Sequence, residues 1–215
     1  MPVDPHLLLA YLAACAVLIL TPGPDMLFVI AQTLRGGSAR GWAAALGIFV
    51  GTFGHVALAA LGLAAVLAAS PGLFAAVRVA GAAYLIWLGV SALRSALRPD
   101  GGGGGAAPPP ASAGARPGLG AAFRQGMVTN LLNPKVALFF LAFLPQFVAP
   151  DRAPAWLQML LLGPLLPIFA LPFFGALIAA AGRAAAALAR VRRWLDAAAG
   201  AVFVSLGLRV LLAPR

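Results

Sequence analysis

The chain has 215 residues, of which 62% are hydrophobic and only 9% are charged, and its mean hydropathy is +0.98. This composition excludes a soluble globular domain and predicts a membrane protein over nearly the whole length. The net charge of +10 comes from arginines that lie between apolar runs, so nucleic-acid binding is not expected. The single cysteine, Cys15, excludes an internal disulfide and a thiolate metal site.

Six apolar runs are long enough to cross a bilayer, which takes about 20 residues. They cover about residues 6–34, 40–69, 73–93, 122–148, 155–181 and 194–212. Between the third and fourth runs, the glycine- and proline-rich segment 99–118 is typical of a flexible linker. We therefore predict an all-α membrane protein in which residues 1–98 and 119–215 each form three transmembrane helices.

Ten arginines follow the first, third and fifth runs, and this asymmetry predicts the orientation of the chain. By the positive-inside rule the linker is cytoplasmic and both termini lie outside. Three spans in each half then make the halves inverted repeats. Weak self-similarity agrees, since Pro24-Asp25 in the first run corresponds to Pro134-Lys135 in the fourth.

The first run is interrupted by the stretch Thr21-Pro22-Gly23-Pro24-Asp25. Pro22 and Pro24 have no N–H to offer the carbonyls of Leu18 and Leu20, so the helix is expected to break there. An acid follows the break at Asp25, and an ionisable group at membrane depth is a functional-site hypothesis.

The fourth run carries a second break at Asn133-Pro134-Lys135. Proline favours the first position of a helix, so Pro24 and Pro134 are each expected to open a half-helix, with Asn133 and Thr21 placed to cap. Counted from the nearest cytoplasmic arginines, both breaks lie about 15 Å deep, close to the bilayer centre.

The breaks together predict a substrate site formed by residues 21–25 with Asn130, Asn133, Pro134 and Lys135. A bound zwitterion would direct its carboxylate to Lys135 and Asn133, and its ammonium to Asp25 and the freed carbonyls. A proton on Asp25 would compete with that ammonium, which is a physical basis for exchanging substrate against protons and makes Asp25 a candidate proton relay. Asn130 is expected to hydrogen-bond to the break, and a structural ion pair between Asp25 and Lys135 is the alternative reading.

The second run places Ala43, Gly47, Gly51 and His55 four residues apart, along one helix face. Small residues at this spacing let a neighbouring helix approach closely, so we predict helix packing at Gly47 and Gly51. His55 is a candidate proton relay, or equally a packing residue hydrogen-bonded to a neighbour.

Four motifs together make the chain resemble the LysE/RhtB family of amino-acid exporters, of the homoserine, threonine and leucine efflux type. They are Thr-Pro-Gly-Pro-Asp at 21–25, Gly-xxx-Gly-xxx-His at 47–55, Gly-Ala-Ala-Tyr-Leu-Ile-Trp-Leu-Gly at 81–89 and Asn-Leu-Leu-Asn-Pro-Lys at 130–135. The resemblance implies a multi-pass exporter of amino acids or close derivatives in the bacterial inner membrane, driven by the proton gradient.

Two other classes of function are weighed against this interpretation. A cation or metal efflux protein would use Asp25, His55 and freed carbonyls as ligands, although metal transport usually takes more carboxylate, His or Cys groups. An intramembrane enzyme lacks an evident nucleophile with a base. We predict no cofactor, resident metal or enzymatic activity, and lipid and protons as partners; a homodimer is compatible with the sequence. The expected apolar lining is Phe139, Phe140, Phe143, Phe173 and Phe174.

Overall fold

The computed structural model describes residues 2–63, 71–97, 118–149 and 151–212, and all regular structure in these ranges is helical. Apart from Gly118, the predicted linker lies outside the described residues. The helices are α1 Pro5–Leu20, α2 Pro24–Leu58, α3 Pro71–Leu97, α4 Leu119–Leu131, α5 Pro134–Leu138, α6 Ala155–Leu162, α7 Leu165–Ala179 and α8 Ala181–Leu212. Helix α2 continues into a π-helical turn, Ala59–Leu63, and α5 continues through Phe139–Phe143 and Leu144–Phe147.

Several of these helices are long and apolar enough to cross a membrane. Within the described ranges, Pro24–Gly62 and Ala155–Ala179 meet this condition. Leu119–Leu131 with Pro134–Phe147 is a third such span if the 48° bend between them lies within one broken helix. Helix α1 is apolar but shorter, with 16 residues. The chain is therefore a helical membrane protein.

Helix α2 is divided by two glycines near the end of the first apolar run. Gly36 has non-helical backbone angles, and Gly37 has a φ of 78°, in the left-handed region that only glycine adopts readily. The segment from Pro24 and the segment leading to Leu58 are thus two helices joined at a sharp kink.

Helix α8 is longer than the sequence predicted. The last apolar run was placed at about 194–212, but the helix begins at Ala181 and includes the arginine-rich segment before it. The added residues include four consecutive alanines, 184–187, and alanine has the highest intrinsic helix propensity. A hydropathy profile finds apolar segments, so it does not show that the helix also includes the arginine-containing segment before the apolar run.

Glycines bring α2 and α4 into main-chain contact. A Cβ on Gly47 would overlap the Phe123 carbonyl oxygen, and one on Gly126 would overlap the carbonyl oxygen of Ala44. At Gly51 a Cβ would lie 2.9 Å from the Met127 carbonyl oxygen. A residue larger than glycine at these positions would have to push the helices apart.

Helices α3 and α8 meet in a reciprocal manner. A Cβ on Gly89 would lie 2.7 Å from the carbonyl oxygen of Gly200, and a Cβ on Gly200 would lie 2.7 Å from that of Gly89. About two turns further along, a Cβ on Gly207 would lie 2.8 Å from the Ala82 carbonyl oxygen. Each helix therefore presents glycine to the backbone of the other.

A cluster of aromatic rings packs where α1 meets the segment after α5. Tyr11 is fully buried, with its ring centroid 5.8 Å from that of Phe139 and 5.2 Å from that of Phe147.

At the start of α1, Asp4 caps the helix by accepting from His6 N, and its carboxylate lies 3.3 Å from Arg152 Nη2. These contacts join the N-terminal end of α1 to the second half of the chain.

We predict that Gly47→Ala destabilises the protein by about 1–3 kcal/mol, because the added methyl group overlaps a carbonyl of α4 that has no room to move. The matched control is Gly120→Ala on α4, where a Cβ would meet no atom within 4 Å. This control should be neutral or slightly stabilising, since alanine is the better helix former. Thermal unfolding of both variants in detergent measures the difference; equal unfolding temperatures would contradict the packing described for Gly47.

Candidate functional site

The two helix breaks lie side by side and are joined by one side chain. Helix α1 ends at Leu20 and α2 begins at Pro24, while α4 ends at Leu131 and α5 begins at Pro134. The Lys135 ammonium donates to the carbonyl oxygens of Leu18 at 3.1 Å and Thr21 at 2.8 Å. The carbonyl of Leu18, deprived of its helical partner by Pro22, thus receives a hydrogen bond from the other half of the chain.

Asp25 lies in the first turn of α2, where the helix dipole favours a negative charge. Its Oδ2 atom accepts a hydrogen bond from Asn130 Nδ2 at 2.8 Å. Its Oδ1 atom is buried and has no hydrogen-bond partner. No hydrogen bond joins Asp25 to Lys135, so the two charges share one site without forming the hydrogen-bonded ion pair considered from the sequence.

Asn133 caps the helix that follows the second break. Its Oδ1 atom accepts from Lys135 N at 3.0 Å, and this bond satisfies an N–H at the start of α5. Its Nδ2 atom is buried and has no hydrogen-bond partner. The site therefore contains an acceptor on Asp25 and a donor on Asn133 that make no hydrogen bond of ordinary geometry in this structure, although the two side chains lie close enough to interact.

Thr21 does not cap α2, contrary to the sequence-based expectation. Its hydroxyl turns back to α1 and donates to the Val17 carbonyl oxygen at 2.6 Å. The N-cap position of α2 is taken by Gly23, which has no side chain to accept a hydrogen bond. Residues 21–23 separate α1 from α2. The Thr21 hydroxyl can reach the carbonyl four residues before it in α1, so it bonds to the end of α1 and does not cap α2.

Gly23 is required for space and not for its backbone conformation. Its φ of −161° is extended and open to any residue. A Cβ at this position, however, would lie 3.0 Å from Lys135 Nζ and 3.3 Å from Lys135 Cε. The glycine therefore makes room for the lysine to reach the end of α1.

Asn130 is the centre of a buried hydrogen-bond network and is only 1% exposed. The Thr52 hydroxyl donates to the Ile48 carbonyl oxygen at 2.9 Å and lies 3.3 Å from the Asn130 Oδ1 atom, while Asn130 Nδ2 donates to Asp25. His55 Nε2 donates to the main-chain carbonyl of Asn130 at 3.0 Å, and its ring is stacked on Phe140. His55 is thus held next to the site through Asn130 and does not line the pocket itself.

The pocket between the breaks has a polar end and an apolar wall. Its polar lining is Thr21, Asp25, Thr52, Asn130, Asn133 and Lys135. The remaining lining residues are Leu18, Ile19, Gly23, Met26, Ile48, Val136, Leu166, Pro167, Ala170 and Phe174. Of the five phenylalanines expected as lining, Phe174 alone belongs to this set; Phe139, Phe140 and Phe143 pack in the core with Tyr11.

Several pocket residues were not anticipated from the sequence. The helical spacing of three and four on α7 indicates one helix face, formed by Leu166, Pro167, Ala170 and Phe174. The spacing does not show which other helices this face packs against. Thr52 was a polar residue in an apolar run and would have been a reasonable candidate.

No group of three or more His, Cys, Asp or Glu side chains suited to a metal ion occurs in the part of the chain that the structure describes.

A second polar cluster, buried on the α2 side, connects α2 to α4. Arg40, one of the arginines used to predict orientation, is only 8% exposed and donates through Nε to Gln32 Oε1 at 2.5 Å. Gln32 Nε2 lies 3.4 Å from Gln125 Oε1. Arg40 therefore has a structural role in addition to any effect on topology, and its burial could not be read from charge distribution.

Comparison with known proteins finds relatives that match nearly the whole chain. The chain is 36% identical over 206 residues to an uncharacterised membrane protein of Pseudomonas aeruginosa, covering 94% of each chain. It is 31% identical over 168 residues to a leucine efflux protein of an Enterobacter species, covering 78% of this chain and 76% of that one. A leucine efflux protein of Klebsiella pneumoniae is 36% identical over 141 residues, covering 65% and 62% of the two chains. No solved structure matches.

The family model described as LysE type translocator matches residues 16–213, which include both breaks and every polar residue of the pocket. This match confirms the resemblance drawn from the four sequence motifs. The chain belongs to the LysE family of translocators.

Proposed function

We propose that the protein is a secondary active exporter that exchanges amino acids, or close derivatives, for protons across the bacterial inner membrane. The observation that carries this proposal is the pocket at the two helix breaks, where a buried unpaired acceptor on Asp25 and a buried unpaired donor on Asn133 line the same space. Buried polar groups without partners are costly, so a ligand that satisfies both would bind there favourably.

An α-amino acid has the groups that these two atoms lack. Its ammonium donates to Asp25 Oδ1, and its carboxylate accepts from Asn133 Nδ2. The prolines at 22, 24 and 134 keep the main chain of both breaks open next to the ligand. Asn130 holds the Asp25 carboxylate in place through its other oxygen.

The wall of the pocket supports an apolar substrate side chain. Ile48, Met26, Leu166, Ala170 and Phe174 offer aliphatic and aromatic surface and no second carboxylate. A side chain such as that of leucine buries apolar area here, whereas a lysine or arginine side chain would leave a charge unpaired. Relatives named leucine efflux protein support the same class of substrate.

In this proposal the protein has six transmembrane helices in two inverted repeats of three. The breaks at Pro24 and Pro134 are the corresponding positions of the two repeats, and the reciprocal glycine contacts of α3 and α8 support a two-fold relation between them. The arginine distribution orients both termini outside and the linker in the cytoplasm.

We predict that Asp25→Asn lowers amino-acid transport about tenfold or more, because the neutral amide loses a charge-assisted hydrogen bond to the substrate ammonium. The assay is accumulation of radiolabelled L-leucine by proteoliposomes under an imposed proton gradient. Asp151→Asn, at an exposed acid in the turn before α6, is the matched control and should transport normally. Wild-type transport by Asp25→Asn would refute the assignment of the ammonium site.

Two substitutions of Asn133 distinguish its role as a helix cap, through Oδ1, from its role as a hydrogen-bond donor in the pocket, through Nδ2. Asn133→Ala removes both, so we predict a loss of stability of about 1 kcal/mol together with a loss of transport. Asn133→Ser retains a capping oxygen but lacks Nδ2, so its unfolding temperature should stay close to that of the wild type while transport falls. Thermal unfolding and transport of both variants check this; a serine variant with full transport would show that Nδ2 does not bind the substrate.

The apolar wall predicts a ranking of competitors. Unlabelled isoleucine, valine and methionine should inhibit uptake of labelled leucine, while lysine, arginine and glutamate should inhibit at least tenfold less, because each places a charge against the wall. Half-inhibitory concentrations in the same proteoliposomes give the ranking. Equal inhibition by lysine and isoleucine would be incompatible with the proposed position of the side chain.

A further inference from the structure

We propose that Lys135 is the side chain that carries the exchanged proton, and that it releases this proton when the substrate ammonium binds at Asp25. This inference rests on the proposed function and goes beyond it, since neither the pocket nor the comparisons identify the group through which protons and substrate are coupled.

The first step is the number of donors and acceptors at Lys135. A lysine ammonium has three N–H groups. Two of them donate to the carbonyls of Leu18 and Thr21, and the third has no acceptor among the hydrogen bonds of the described residues. A neutral amine has two N–H groups, which is enough for both carbonyls. Lys135 can therefore lose one proton without leaving either carbonyl of the break unpaired.

The second step is the charge of the pocket. The charged groups that face Lys135 are Asp25 on α2 and Asp196 on α8, while the two acceptors of its ammonium are neutral carbonyls. With Lys135 protonated, a substrate ammonium entering beside Asp25 meets a second positive charge in the same desolvated space. With Lys135 neutral, the substrate ammonium takes over as the partner of the Asp25 charge.

The exchange is balanced in protons and carries one net positive charge inward per cycle. When the pocket opens to the cytoplasm, a zwitterion binds, and the third N–H of Lys135 gives its proton to water on that side. When the pocket opens outward, a proton returns to the lone pair of the Lys135 amine, and the substrate ammonium is displaced. One cycle moves one amino acid out and one proton in.

The other two titratable groups at the site are less suited to this task. Asp25 has its Oδ1 atom open to the substrate ammonium and its Oδ2 atom held by Asn130, so its carboxylate is the partner of that ammonium. His55 donates to a main-chain carbonyl, is covered by Phe140 and does not line the pocket. Lys135 lines the pocket and, through Gly23, is held against the break itself.

The test counts the protons released when L-leucine binds to the purified full-length protein. Titration calorimetry in two buffers of different ionisation enthalpy gives this number for each variant. The wild type should release about one proton per leucine bound at neutral pH. Lys135→Gln, which places no charge against the substrate ammonium, should bind leucine at least as tightly and release none. Lys135→Arg, whose guanidinium keeps its proton, should release none either. His55→Gln is the matched control and should still release about one.

Each result decides the question. Proton release by Lys135→Gln or Lys135→Arg at the wild-type ratio would overturn the inference, as would its loss in His55→Gln. A folded Lys135→Gln that binds no leucine would also overturn it, because Lys135 would then be a binding residue alone; thermal unfolding reports folding. A wild type that binds leucine without releasing a proton refutes this inference and leaves the exporter proposal standing. A wild type that binds no amino acid refutes both.

Discussion

The structure depends on the hydrogen bonds between the Lys135 ammonium and the carbonyls of Leu18 and Thr21. A main-chain carbonyl left unpaired in the apolar interior of a membrane protein costs several kcal/mol. The proline that breaks the first helix creates such a group, and the second half of the chain supplies its partner. The same contact therefore makes the break tolerable and fixes the position of one half relative to the other.

Around this contact, the site is built from residues with two tasks each. Asn133 caps the helix that carries Lys135 and leaves one donor free in the pocket. Asn130 orients the Asp25 carboxylate and accepts from His55 through its main chain. Gly23 ends the break and leaves the space that the lysine occupies. The polar groups of the pocket are thus held in place by helix termini, and no long flexible side chain other than Lys135 takes part.

The sequence predicted those features that follow from local chemistry. Proline determines where α2 and α5 begin, and the asparagine before Pro134 caps as expected. One local prediction was wrong, because the Thr21 hydroxyl can reach both a carbonyl of α1 and the first amides of α2, and it donates to the carbonyl of Val17 in α1. Features that depend on distant partners were not predictable. The lysine was expected to seek an anion, but its nearest acceptors are carbonyls from a helix more than a hundred residues away. Periodicity also cannot separate a ring in the core, such as Phe140, from one in the pocket, such as Phe174.

The glycine contacts between α2 and α4 limit how the molecule can change shape. Where main chain touches main chain, as at Gly47 and Gly126, there are no side-chain ends that can interdigitate in a new register when one helix slides past the other. The part of α2 that follows Gly37 is therefore expected to move together with α4 as one rigid unit. A change of shape is less restricted at the Gly37 kink, where the helical backbone is interrupted, than along this contact.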